Sequence, residues 1–116
     1  MTRIVEKGWG HEEIWAETEA YCGKILHMRS GKAMSMHFHA KKHETWRALN
    51  GAFIIEVIDT KTSKVSAINF GAGETFVIPP LLPHRLICDS LGTVIEVSTF
   101  DDPDDNHRVM PGDSQK

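Results

Sequence analysis

The stretch Gly31–Gly51, GKAMSMHFHAKKHETWRALNG, places three histidines and a glutamate in eight positions. His37 and His39 stand two apart, a spacing that on a strand turns both imidazoles to one face, close enough to share an ion. Glu44 follows across AKKH, which has the composition of a turn. If Glu44 opens the next strand, its carboxylate can swing back toward the pair. His84, in PPLLPHRL, is the candidate for a fourth ligand from a distant strand. Imidazole nitrogens with one carboxylate suit Zn, Fe, Ni, Mn or Co rather than Ca or Mg. The competing reading is plain surface polarity, because an HxH pair alone is a weak signal. His43 stands beside Glu44, so on an extended strand it faces the other way and reads as a surface residue or as one that supports the ligands without binding the ion.

Five further groups have a possible part in chemistry. Glu96 interrupts the apolar run TVIEVST, and Lys24 interrupts YCGKILHM. A charge in such a strand either faces a polar cavity or sits outside on an edge. Facing inward, Glu96 is an acid–base group, and Lys24 is its ion-pair companion or a phosphate ligand. Trp46 shares parity with Glu44 and either lines the cavity, where it can stack on a sugar, or belongs to the core. Arg85 and Arg47 carry guanidinium groups suited to phosphate at a rim. Their parity, next to His84 and Trp46, turns them away from the site.

The elements that must position these residues are strands. YCGKILHM is a short apolar run closed by RSGK. WRALNGAFIIEVID reads as two runs hinged on Asn50-Gly51, a strong hairpin signal. DTKTSK is turn-like, VSAINF runs into GAGE, TFVIPP into LLPHRLICD, and Ser90-Leu91-Gly92 turns the chain into TVIEVSTF. Strand-sized segments about every ten residues predict an all-β sandwich or barrel. Pro79, Pro80, Pro83 and several glycines exclude a helical reading beyond the first twenty residues.

A chain of 116 residues fits one domain with a real core. Thirteen Lys and Arg against sixteen Asp and Glu give a net charge of −3, without the basic face that nucleic acid requires. Cys22 and Cys88 form neither a disulfide framework nor a CxxC pair, so a reduced cytoplasmic protein is expected. No apolar leader and no run of eighteen apolar residues is present, which predicts no membrane association. Trp9 and Trp15, in a polar segment over about 1–20, predict an arm that docks on its own barrel or on a second subunit. With the small size of the chain, this predicts a homodimer. The segment 101–116, DDPDDNHRVMPGDSQK, reads as a solvated polar tail, with cover of a pocket mouth or a partner as the alternative.

Gly31, His37, His39, Glu44 and Gly51 match the first cupin motif, G-x5-H-x-H-x4-E-x6-G, at every spacing. Gly73, Pro79 and His84 match part of the second, G-x5-P-x-G-x2-H-x3-N, with Leu81 in place of its inner glycine and Cys88 in place of its asparagine. The chain therefore resembles the cupin superfamily. The resemblance implies a double-stranded β-helix (jelly-roll) barrel with one divalent transition-metal ion on His37, His39, Glu44 and His84. WGHEEIW, KKHETWRALNG, PHRL and IEVST are similar to the cupin domain of type II mannose-6-phosphate isomerases. That similarity implies a sugar or sugar-phosphate ligand and an aldose–ketose isomerisation, in which a metal polarises the carbonyl and a base moves a proton between neighbouring carbons. In that frame Glu96 and Lys24 are the catalytic candidates, and Trp46 and Arg85 the substrate-binding ones. The alternatives are a carbohydrate-binding or sensor cupin without catalysis, a sugar epimerase and an Fe(II) dioxygenase.

Overall fold

A computed structural model describes residues 2–116; Met1, the first residue of the expected arm, lies outside the described residues. The described residues form nine strands: β1 (Arg3–Lys7), β2 (Gly10–Glu17), β3 (Tyr21–Met28), β4 (Met36–Phe38), β5 (Glu44–Asp59), β6 (Lys64–Gly71), β7 (Thr75–Ile78), β8 (His84–Thr99) and β9 (His107–Met110), with a short 3-10 helix at Asp113–Gln115. The ladders between them are antiparallel. The long strands β5 and β8 pair along most of their length and belong to both halves of a curled sheet. The first half of β5 pairs with β7, and the second half with β6. The last half of β8 pairs with β3, which continues through β2 to β1. The start of β8 meets β4 and, through it, β9. The result is the all-β double-stranded β-helix expected from the sequence.

Two expected turns are bends instead. Asn50-Gly51 and Ser90-Leu91-Gly92 lie inside β5 and β8, both of which continue through them. Gly51 has φ of 85°, as an Asn-Gly hairpin turn would require, but the chain does not reverse. The β5–β8 register slips between Ala48 and Phe53, and the Asn50 side chain accepts the Thr93 N–H at 3.0 Å. A Cβ on Gly51 would meet the Gly92 Cα at 2.7 Å, so the two strands cross at a point where neither carries a side chain. Paired bulges of this kind let two neighbouring strands fold over together and pass from one sheet to the other.

Alternation along each strand separates inside from outside. Leu26, Met28, Trp46, Ala48, Phe53, Ile55, Leu86 and Val94 are buried in the barrel. At one end of the same interior lie charged and polar side chains: Lys24, His39, Lys42, Glu44, His84, Glu96 and Asp105. The expected N-terminal arm is two strands of the sheet. Trp9 packs into the barrel's own core, whereas Trp15 stays on the outer face, 43% exposed.

The C-terminal segment is likewise not a free tail. β9 adds to β4, and the buried Asp105 carboxylate accepts the backbone N–H groups of Ala40, Lys41 and Lys42 at 2.7, 3.0 and 3.1 Å. Asp113 accepts the Ala33 N–H at 2.7 Å.

Leu81 occupies the loop position where the second motif carries glycine, and it takes φ of 71°, the left-handed conformation glycine would supply. Its N–H donates to the His39 carbonyl at 2.7 Å, which ties the loop before His84 to the end of the first motif. The loop shape therefore survives the substitution, at a backbone cost of about 1–2 kcal/mol. Leu81→Gly removes that cost while adding unfolded-chain entropy of about 0.5–1 kcal/mol. Urea unfolding should show the variant more stable by up to about 1 kcal/mol, although an exposed leucine is lost.

Candidate metal centre

β4 delivers His37, the residue just past its end is His39, and β8 opens on His84, paired directly with His37 in the ladder. One ligand atom from each of the three imidazoles falls within 4.8 Å of the others. Each ring is oriented by its other nitrogen. Nδ1–H of His37 donates to the Ser35 carbonyl at 2.8 Å, that of His39 to the Asp105 carbonyl at 2.7 Å, and that of His84 to the Leu82 carbonyl at 2.8 Å. Carbonyls only accept, so in all three rings the proton sits on Nδ1 and the Nε2 lone pair is left for an ion.

Glu44, the first residue of β5, places Oε2 at 3.3 Å from His39 Nε2 and 3.9 Å from His84 Nε2. Donor atoms about 2.1 Å from a common tetrahedral ion stand roughly 3.4 Å apart, so this spacing suits a shared cation. Glu44 Oε2 and His84 Nε2 are both buried without a hydrogen-bond partner among the described residues. Two orphaned acceptors facing each other are costly unless a cation lies between them. Burial pushes the His37 pKa down to about 4 and that of His84 down to about 3, the latter with help from His37. At neutral pH both rings are the neutral donors a transition metal takes. Burial, reinforced by the Glu96 carboxylate, drives the Glu44 carboxyl upward without an ion. His37, His39 and His84 thus form a cluster able to coordinate a divalent transition-metal ion, with Glu44 placed to complete it. His43 is exposed and turned outward, as its parity predicts.

Beside the cluster, a cavity of about 290 Å³ is lined by a ladder of charges that includes Glu12, Lys24, Lys42, Glu96 and Asp101. Lys24 and Glu96 face each other across β3 and β8, both inward, as one reading of the sequence required. Their contacts differ from that reading. Lys24 Nζ lies 2.8 Å from Asp101 and 3.4 Å from Glu12. The ammonium beside Glu96 is Lys42, whose Nζ is 3.0 Å from Glu96 Oε2, 3.1 Å from Asp101 Oδ1 and 3.9 Å from Glu44 Oε2. Trp46 lines the cavity and belongs to the core at once, and its indole N–H donates to Glu96 Oε1 at 3.0 Å.

Burial opposes the charge on Glu96, but Lys42 and then Lys24 outweigh it and hold the carboxyl well below its usual range. Burial likewise opposes the charge on both lysines. Glu96 and Glu12 reverse it for Lys24, and Glu96, Glu44 and Asp101 for Lys42, so both ammonium pKa values are raised.

Lys42 had a usable signal in the sequence, because it shares parity with Glu44. Asp101 and Asp105 had none, since nothing in DDPDD separates inward from outward acids. The Arg85 reading is corrected: its guanidinium lies away from the cavity and pairs with Glu56 on the outer face. Lys42→Met should cost about 3–5 kcal/mol, because it strands buried carboxylates without their counter-charge. Urea denaturation at neutral pH measures this, with the exposed Lys41→Met as a control of near-zero effect.

Residues 10–113 match the sequence model described as Cupin, and the chain belongs to that family. It is similar to the D-lyxose/D-mannose isomerase of Escherichia coli O157:H7, with 31% identity over 120 residues, covering 82% of this chain and 53% of that protein. The chain therefore spans about half the length of this curated relative. Among solved structures, oxalate decarboxylase from Bacillus subtilis superposes with a TM-score of 0.79 at 16% identity, over 93% of this chain and 30% of that one. An RmlC-like cupin from Shewanella frigidimarina gives 0.73 at 19% identity, over 90% and 88%. At such identities these structures establish the fold alone. No helix among the described residues is long and apolar enough to cross a membrane.

Proposed function

We propose that this cupin is a metal-dependent aldose–ketose isomerase in which Glu96 carries the proton. The observation that carries the reading is the buried Glu96–Lys42 pair lining the same cavity as His37, His39 and Glu44. The similarity to a D-lyxose/D-mannose isomerase supports it. His37, His39, Glu44 and His84 would hold a divalent transition-metal ion, which when bound would supply Lewis-acid polarisation of a sugar oxygen.

The chain's own groups do the rest. Glu96 is held ionised, in the form that accepts a proton from carbon, and the Trp46 N–H fixes its carboxylate plane. Lys42 neutralises Glu96 and stands 3.9 Å from Glu44, between the carboxylate base and the ligand cluster, placed to donate to a sugar oxygen. Lys24 and Asp101 support that pair and keep the buried charges balanced.

An unphosphorylated aldose suits this cavity better than a sugar phosphate. Lys24 and Lys42 are already matched by two or more carboxylates each, and the other lining cations, Lys7 and Arg108, are more exposed. A phosphate entering there meets acidic groups whose counter-charges are taken.

The test is deuterium uptake from solvent next to the carbonyl, screened over aldoses, ketoses and their phosphates with the metal-loaded protein. Exchange into a free aldose is the expected result. No exchange with any sugar, alongside measurable sugar binding, makes the chain a carbohydrate-binding cupin instead. A preference for the phosphate of about tenfold or more overturns the substrate reading while leaving the reaction class intact.

A further inference from the structure

The three imidazoles of the cluster are not oriented alike. His37 and His84 donate their Nδ1–H to carbonyls two residues back in their own segments, those of Ser35 and Leu82. His39 donates to the Asp105 carbonyl, 66 residues further along the chain. Two ligands are therefore set by local loop geometry. The third is set by where the C-terminal segment comes to rest.

Asp105 holds that place with both of its polar ends. Its buried carboxylate accepts three consecutive N–H groups, that of Ala40 on Oδ1 and those of Lys41 and Lys42 on Oδ2. These residues belong to the short link that joins His39 to Glu44. Donors converging on one carboxylate give the link a fixed shape, because charge-assisted hydrogen bonds are the stronger kind. The last of the three is Lys42, whose Nζ reaches Glu96. The placing comes from β9, where His107 pairs with Phe38 and brings Asp105 beside the turn after β4. The segment is fastened again further on. The Asp113 carboxylate accepts the Ala33 N–H, and the Ser114 hydroxyl accepts the Gly8 N–H at 3.0 Å. Those anchors bear on Ala33 and Gly8, neither of them a ligand of the cluster.

We propose that Asp105 is a positioning residue of the metal centre, tying retention of the ion to docking of the C-terminal segment. Its carbonyl fixes the His39 tautomer, which keeps Nε2 free for an ion. Its carboxylate fixes the link that carries Glu44 to the same point. Metal binding and docking are then coupled, and such coupling is reciprocal. An ion that needs His39 in place must in turn slow the release of Asp105 from residues 40–42. This coupling belongs to the cluster itself and needs no sugar, so it stands apart from the isomerase reading.

Zinc affinity of the full chain, measured by competition with a chromophoric chelator, tests the assignment. Asp105→Ala should keep the circular dichroism of the parent and bind Zn(II) about 10–100-fold more weakly, the range for losing an outer-shell partner. Asp113→Ala loosens the same segment at an anchor away from the ligands, and should leave zinc affinity nearly unchanged. In the parent, saturating zinc should slow hydrogen exchange of the Ala40, Lys41 and Lys42 amides by about tenfold or more, as reciprocity requires. In Asp105→Ala that zinc-dependent slowing should disappear. Parent-like zinc affinity in a folded Asp105→Ala protein overturns the assignment. So does an Asp113→Ala protein that loses zinc equally, because general loosening then accounts for both. Exchange at residues 40–42 that ignores zinc in the parent overturns the coupling. If Asp105→Ala does not fold, Asp105→Asn decides. It keeps the size and the carbonyl but turns an amide NH2 toward N–H donors, and should weaken zinc by about tenfold. Parent-like affinity there overturns the proposal.

Discussion

His39→Ala should leave the protein without a tightly held transition-metal ion after dialysis, where the parent retains one per chain. His39 is the imidazole nearest the Glu44 carboxylate, and its ring is fixed by the buried Asp105 carbonyl. Loss of an outer-shell partner alone weakens metal sites by about 10–100-fold, and removing a direct ligand exceeds that range. The effect extends to stability. An ion present at about a hundred times its dissociation constant stabilises the folded state by about 2.7 kcal/mol, which in a domain of this size raises the melting temperature by roughly 10–20 °C. The parent should show that rise on adding metal, and His39→Ala should not. His43→Ala is the internal control: its side chain faces outward, and its variant should bind metal and melt like the parent. Full metal content in His39→Ala, measured by elemental analysis, would rule out the site as drawn.

Glu96→Gln should keep the fold and the ion while proton exchange into the sugar falls by about 10²-fold or more, the usual consequence of losing a general base. The glutamine still accepts the Trp46 N–H, so the indole is not left unpaired. What changes is the basicity of the group and the charge facing Lys42. Removing that charge leaves Lys42 to Asp101 and Glu44 alone, so a modest loss of stability accompanies the loss of exchange. The two effects separate cleanly, because metal content reports on the cluster and deuterium uptake on the base. A variant that exchanges solvent protons as fast as the parent removes Glu96 from the mechanism, and Lys42 becomes the group to test next.

The sequence determined by itself whatever depends on a side chain's position along its own strand. Alternation set Glu44 and Trp46 on one face and His43 on the other, because a strand sends successive side chains to opposite faces wherever it lies. The two-residue spacing put His37 and His39 on one face for the same reason, and the resemblance to the cupin motifs added Glu44 and His84 to make the metal cluster legible. Lys24 and Glu96 had both an inward and an outward reading, which only the folded barrel resolved as inward. The tertiary structure decided what depends on neighbours distant in the chain. Asn50-Gly51 has the positive φ of a hairpin turn, yet the same dihedral serves a bulge. Only the long β5–β8 ladder and the approach of Gly92 make it a bend. Nor does composition assign partners among several buried charges. Lys42 rather than Lys24 lies against Glu96, and Asp101 and Asp105 of the supposed tail reach the cavity and the 40–42 loop, because β9 returns the C-terminal segment to β4. Which charge meets which within 3 Å is fixed by strand order and backbone hydrogen bonds spanning more than fifty residues, and no local pattern encodes that distance.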